Sequence, residues 1–215
     1  MGFPNIDIYL AKQILDKFVA VKTDEGFAIN DTFDDLDEGY RAEIIAYVNR
    51  KVFTSDLRDR NDNQVYILPH FPIIDMPLPQ IGISLGQEST AEKFLDDLQG
   101  DSTPVYDEDG IQTHWDIPKG YIGSALYRID VVTSTKDEAI WLARLIQRFV
   151  CEEQNALADI GAYEIDITLA DLKLEQEHLP QTIFNRAVQI SCKVQNTWTK
   201  RIPVAYYETG INTGI

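Results

Sequence analysis

Apolar and polar positions alternate most cleanly in the last third of the chain. Over Ser124–Thr133, residues Ala125, Tyr127, Ile129, Val131 and Thr133 fall on one side, and Ser124, Leu126, Arg128, Asp130 and Val132 on the other. Over Tyr163–Ala170, Tyr163, Ile165, Ile167 and Leu169 point one way, and Glu164, Asp166, Thr168 and Ala170 the other. From Asn185 to Trp198, Val188, Ile190, Cys192, Val194 and Trp198 share one face, and Gln189, Ser191, Lys193, Gln195 and Thr197 share the opposite one. Each stretch predicts a strand with one apolar face. The last would run roughly 46 Å at about 3.3 Å per residue. That exceeds the usual strand and predicts a bend or a protruding end.

Between the first two strands the period changes to three and four. Ala139, Ile140, Leu142, Ala143, Ile146, Phe149 and Val150 form a broad stripe that predicts a helix reaching about Leu157. Thr135 with Glu138 three residues on is a capping-box pattern, and Asp137 and Glu138 suit the positive end of the helix dipole. Such a helix would be roughly 33 Å long. Trp141 and Leu145 lie beside the stripe, where they either widen it or contact another subunit.

Upstream, Ile6, Leu10, Ile14, Phe18 and Val21 give a helix over Ile6–Val21 with Asn5 as its cap. Thr23–Glu38 reads as an acidic loop anchored by Phe27, Ile29, Phe33 and Leu36. Gly39–Phe53 reads as a second helix; the two helices pack on the covered sheet face or contact a neighbour. Gln64–Leu68 and Ile81–Leu85 are short strands, and Pro72, Pro77 and Pro79 exclude a central strand between them. Ala91–Leu98 predicts a helical turn or two. Thr103–Pro118 is a hairpin or flap with Gly110 as its turn and Trp115 as its anchor, and Leu172–Gln181 is a polar connection. After Trp198 the chain leaves the sheet, and Pro203 opposes a continued strand.

One apolar face per strand and one long helix to cover it predict an α+β fold, with helices on one side of a mostly antiparallel sheet. We expect a single domain over 1–215. It comprises a helical segment at 1–54, a core of sheet and helix at 121–198, and a C-terminal arm at 199–215 whose Tyr206 and Tyr207 dock on the domain or on a neighbour.

Charge adds one constraint. The 215 residues carry a net charge of −16, which argues against a general nucleic-acid binder, since that needs a basic footprint. Cys151 on the helix and Cys192 on the inner face of the last strand are expected as buried thiols; a disulfide would require the helix to pack on that part of the strand. The first residues do not resemble a signal peptide, and no apolar run is long enough to span a membrane.

Residue chemistry names no reaction. Asp59-x-Asn61-x-Asn63 has the first spacings of a calcium loop, but Gln64 stands where that loop needs Gly, and His70 where it needs Glu. A solvated turn is the expectation. His70, His114 and His178 are scattered, and there is no phosphate loop, nucleophile elbow or zinc-type cysteine pair. Asp34, Asp35, Asp37 and Glu38 read as a solvated acidic face. Glu164 and Asp166 share a polar strand face with no base or nucleophile to go with them. Neither an enzyme, nor a cofactor, nor a metal is expected.

Several phrases together resemble the tail-terminator and neck proteins of long-tailed bacteriophages. They are Pro79-Gln80-Ile81-Gly82-Ile83-Ser84-Leu85-Gly86, Tyr127-Arg128-Ile129-Asp130-Val131-Val132-Thr133, the helix from Glu138 to Val150, Gly161-Ala162-Tyr163-Glu164-Ile165-Asp166-Ile167, and the strand from Arg186 to Trp198. The resemblance covers roughly the last two-thirds of the chain. It implies a structural virion protein, assembled in the host cytoplasm, whose subunits form a ring, commonly a hexamer. In that family the ring ends the tail tube and joins it to the head connector, and DNA passes through an acidic lumen without specific binding. The two N-terminal helices, the Thr103–Pro118 insertion and the C-terminal arm go beyond the compact members and suit contacts with a sheath, a collar or the connector. On this reading Glu164, Asp166 and Asp171 are candidates to line the lumen, and Trp141, Leu145, Tyr206 and Tyr207 are candidates for the subunit interface. The competing readings are an acidic protein-binding adaptor acting as monomer or dimer, and an enzyme with an unfamiliar site.

Overall fold

The computed structural model describes residues 6–58, 61, 63–73, 76–92, 102–171 and 183–203. Its elements run α1 (Ile6–Val21), α2 (Phe27–Thr32), α3 (Glu38–Arg50), β1 (Val52–Thr54), β2 (Gln64–Leu68), β3 (Gln80–Glu92), β4 (Thr103–Tyr106), β5 (Gln112–Thr133), α4 (Lys136–Glu152), α5 (Gln154–Asp159), β6 (Ala162–Asp171) and β7 (Phe184–Pro203). The fold is α+β. One sheet carries all seven strands in the order β1-β2-β3-β5-β7-β6, with β4 added on β5. Its first two pairings are parallel. The other four are antiparallel.

The helices lie on one face of the sheet. α1 packs on β1, β2 and β3, while α4 packs on β5, β6 and β7. The spacing of Ile6, Leu10, Ile14, Phe18 and Val21 turns one side of α1 to the sheet, and all five are buried. Phe18 joins the two halves. Its ring stacks on Phe53 of β1 at 4.1 Å between centroids and meets the edge of Phe149 of α4 at 5.0 Å. From the sheet, Ile81, Ile83, Tyr127, Ile129, Val131, Val188, Ile190, Cys192 and Val194 complete this core.

Among the described residues, the opposite face is covered at one end. Gly82 lies under the turn at residues 69–73, and a Cβ there would stand 2.5 Å from Cδ of Pro72 and 2.7 Å from the carbonyl oxygen of His70. Only glycine admits so close a backbone approach. Tyr66, Leu68 and Met76 form a second small core beneath this cover, with Leu57 and Ile73 against it. The Tyr66 hydroxyl donates to Gln64 Oε1 at 2.6 Å and accepts from the Asn61 N–H at 3.1 Å.

Several expectations need correction. The helix over Gly39–Phe53 ends at Arg50, because Lys51 turns extended and the apolar pair Val52-Phe53 joins β1. The stretch Thr23–Glu38 contains the short helix α2, and Phe27, expected as an anchor, is 69% exposed while Ile29 and Phe33 are buried. The helix expected to reach Leu157 breaks at Glu153, whose N–H is shared between the Phe149 and Val150 carbonyls; α5 follows. The strand expected at Ile81–Leu85 continues to Glu92, so Ala91 and Glu92 are strand and not helix. The rest of that expected turn lies outside the described residues. So do Asn5, Asp59, His178, the Leu172–Gln181 connection, and residues 204–215 of the arm, with Tyr206 and Tyr207. The start of the expected arm, 199–203, does not leave the sheet after Trp198: it continues β7 and pairs with residues 114–118 of β5.

A bulge also changes the reading of β6. Tyr163 pairs with Lys193 but the next paired residue is Asp166, opposite Ser191. Two residues, Glu164 and Ile165, therefore face one on β7, and Glu164 takes φ of 51°. Strict alternation would put Tyr163 beside Ile165 and Ile167. The extra residue instead places Tyr163 on the face of Lys193, away from the helices, while Ala162 and Ile165 both stay on the core side.

Candidate functional site

β5 and β7 organise the surface. They pair without interruption from His114↔Pro203 to Thr133↔Phe184, far beyond the usual strand length. Near the Thr133 end they are flanked by β3 and β6 and covered by α4. Past Ile122, among the described residues, β4 alone accompanies them. No described residue from Ser102 to Ile122 is buried. The result is a three-stranded ribbon, β4-β5-β7, without a core of its own. From Gln112 to Ile122 it extends roughly 33 Å at about 3.3 Å per residue.

The ribbon is locally well tied. Thr113 Oγ1 donates to the Val105 carbonyl at 3.2 Å, and Arg201 Nε and His114 Nε2 lie 3.3 and 3.4 Å from Asp116 Oδ1. At its tip, Asp107 Oδ1 accepts from the Ile111 N–H at 2.8 Å and the Asp109 N–H at 3.1 Å, while the Asp107 N–H donates to the Ile111 carbonyl at 2.9 Å. Gly110 supplies the positive φ of 77° that closes the turn. Tyr106 and Ile111 stand out from this rigid turn, 57% and 64% exposed.

The helix-free sheet face is the second surface. Arg128 donates through Nε and Nη2 to Asp130 Oδ1 at 2.9 and 2.7 Å, and Asn185 Nδ2 adds a third bond at 3.2 Å. Asp130 is buried, so this pairing keeps a charge that would otherwise be costly. Glu164 is exposed and lies 2.7 Å from Lys193 Nζ. Asp166 is exposed opposite Ser191, and the side chain of Asp171 lies outside the described residues. The lumen candidates that are described thus share the face without helices, but Glu164 spends its charge on Lys193 and the face carries both signs.

The interface candidates divide. Leu145 is fully buried, so it widens the helix stripe and offers nothing to another subunit. Trp141 is half-buried with its ring edge-on to Tyr47 of α3 at 5.8 Å. The acidic run is more structural than a solvated face. Asp37 caps α3 by accepting from the Tyr40 N–H at 2.9 Å, and Asp35 takes Arg144 of α4 at 3.1 Å. The Arg144 guanidinium also sits over the Phe33 ring, and its hydrogen bond holds the Asp35 carboxyl below its ordinary range. Arg148 ties α2 to α4 through Asp31 at 2.6 Å and the Ala28 carbonyl at 3.0 Å.

Cys192 is buried and Cys151 is exposed; both are free thiols, which corrects the expectation that both are buried. Burial pushes the Cys192 thiol up to about 11. Among the described residues no three His, Cys, Asp or Glu side chains converge as metal ligands would, and no helix is long and apolar enough to cross a membrane. The ribbon is the feature that sequence reading underrated. Its signal was present as a hairpin leading into Tyr121, but nothing in the alternation of Thr103–Pro118 revealed that β7 would follow it to the end. Compared with models of known protein families and with curated proteins, the sequence matches none of them.

Proposed function

We propose that this chain is a structural subunit of a bacteriophage neck, forming a ring that ends the tail tube and joins it to the head connector. The observation that carries the reading is the ribbon. A three-stranded sheet with no buried side chain among the described residues is poorly held in isolation; it needs a surface to pack on. A ring requires a heterologous contact, one patch meeting a different patch on the next copy, and a projecting ribbon is suited to make it. The resemblance of the core phrases to neck proteins supplies the rest.

The charge is compatible with this role. A subunit of net charge −16 repels DNA phosphates, so a ring of such subunits would let DNA pass without holding it. The role proposed for the helix-free face is accordingly modest: Asp166 contributes a carboxylate with no ion pair among the described residues, and Glu164 one neutralised by Lys193.

Negative-stain images of the purified full chain test the proposal. End-on rings with a central opening are expected. A field of single small particles at every concentration, unchanged when tail tubes are added, would overturn it and favour the adaptor reading, in which the same ribbon engages an unrelated protein.

A further inference from the structure

We infer that the tip of the ribbon docks on the β1 corner of a second copy of this chain. The inference rests on the ring reading and names its contact. The tip presents an apolar pair, Tyr106 and Ile111, flanked by the exposed carboxylates of Glu108 and Asp109. Asp107 is already engaged in holding the turn, so the tip is preorganised and loses little freedom when it binds.

The β1 corner offers the complement. β1 is an edge of the sheet, and Val52 on it is 48% exposed. Arg50 is exposed two residues earlier, and Lys22 of the α1 end donates its ammonium to the carbonyl of Lys51, which brings a second cation beside Val52. Lys17, Arg58, Arg128, Arg144, Arg148 and Lys193 each pair with a carboxylate of their own chain. Among the described residues, neither Lys22 nor Arg50 has such an ion pair. In a chain with 35 carboxylates and 19 Lys and Arg, this corner sets two cations that meet no carboxylate among the described residues beside an exposed valine.

Both halves of the contact lie on this one chain, which is why the occupant is a second copy. They lie at different places, the end of the ribbon and an edge of the sheet, so the contact is heterologous and propagates from copy to copy. Each copy repels the next through its net charge. Acid on base at this contact offsets that repulsion locally and disfavours other registers.

Native mass spectrometry of the full chain and three variants tests this. Glu108→Lys with Asp109→Lys reverses the tip, Arg50→Glu reverses the corner, and the third variant combines all three changes. All the altered side chains are exposed, and thermal melts confirm that the variants stay folded. Each reversal alone is expected to weaken self-association by at least about tenfold, and the combination to restore most of it. Rings that persist unchanged in the tip-reversed variant overturn the contact while leaving the ring reading intact. Reversals that both disrupt the ring, without rescue in combination, also overturn the direct pairing. A wild-type chain that never associates overturns both.

Discussion

The side-chain amide of Gln80 is bonded at both ends to the backbone of Ile73. The Ile73 N–H donates to Oε1 at 2.8 Å, and Nε2 donates to the Ile73 carbonyl at 2.9 Å, with a further bond to the Met76 carbonyl at 3.1 Å. Gln80 is 1% exposed. One side chain thus does for this connection what a neighbouring strand would do, and it holds the cover over the second small core. Gln80→Leu keeps the volume but leaves these backbone groups without their partner. Each buried group left unmet costs about 1–3 kcal/mol. Urea unfolding is expected to show the loss as a lower midpoint with little change of slope. An unchanged midpoint would mean that the cover is held by something other than Gln80.

Glu164 occupies the left-handed region at the β6 bulge, where a side chain is disfavoured and glycine is not. Its ion pair with Lys193 is exposed and contributes little. Glu164→Gly is therefore expected to leave stability unchanged or raise it by up to about 1 kcal/mol, whereas Glu164→Val should lower it by about 1–2 kcal/mol because a β-branched residue resists this backbone. Thermal melts of the two variants decide it. Equal losses in both would mean that the ion pair, and not the backbone, governs the site.

The ion pairs that α4 makes with α1 and with the segment after α2 make stability fall in acid. Asp35 is held below its ordinary range by Arg144. At Glu152 burial pushes the other way, but the bonds from Lys17 and Arg148 outweigh it and its carboxyl is also lowered. A carboxyl depressed by folding stabilises the protein above its unfolded value and loses that contribution as pH falls through the folded one. The loss should start near the ordinary values of 3.8 and 4.5 and continue below them. Arg144→Gln should make this acid limb shallower in melts from pH 7 to pH 3, and added salt should act in the same direction because the pairs are partly exposed. An acid limb identical in the variant would remove Arg144 from the account.

The two thiols differ in access and should react in sequence. Cys151 is exposed near the end of α4, and Cys192 is buried in the core on β7 with its thiol pushed up. A chromogenic disulfide reagent at neutral pH should titrate one thiol in the native protein and the second only on unfolding. Two fast equivalents would show that the α4–β7 contact opens readily.

Periodicity made the centre of this fold legible. The apolar set of α1, the cap at Thr135 and the two faces of β5 and β7 follow from spacing alone, since each buries a stripe that the sequence repeats at a fixed period. Where the period shifts, reading by alternation fails. One extra residue at Glu164 moved Tyr163 to the far face. The run Gly39–Phe53 kept an apolar pattern through Val52 and Phe53 although the chain had already turned extended at Lys51. α2 is only six residues long; Asp24 accepts from the Gly26 and Ala28 N–H groups at its start, but Arg148 and the burial of Ile29, which also hold it, are not local signals. The candidate surface was legible least. A ribbon without a core leaves no apolar stripe to read, and its extent is set by the pairing of β5 with β7 across the sheet.

The most direct test of the ring account is the native mass of the full chain in solution across a range of concentrations. The account predicts one dominant closed species, six protomers of 24.5 kDa each in the hexamer that the resemblance implies. A protein that stays monomeric, or stops at a two-fold dimer, at every concentration and in the presence of tail tubes would contradict it.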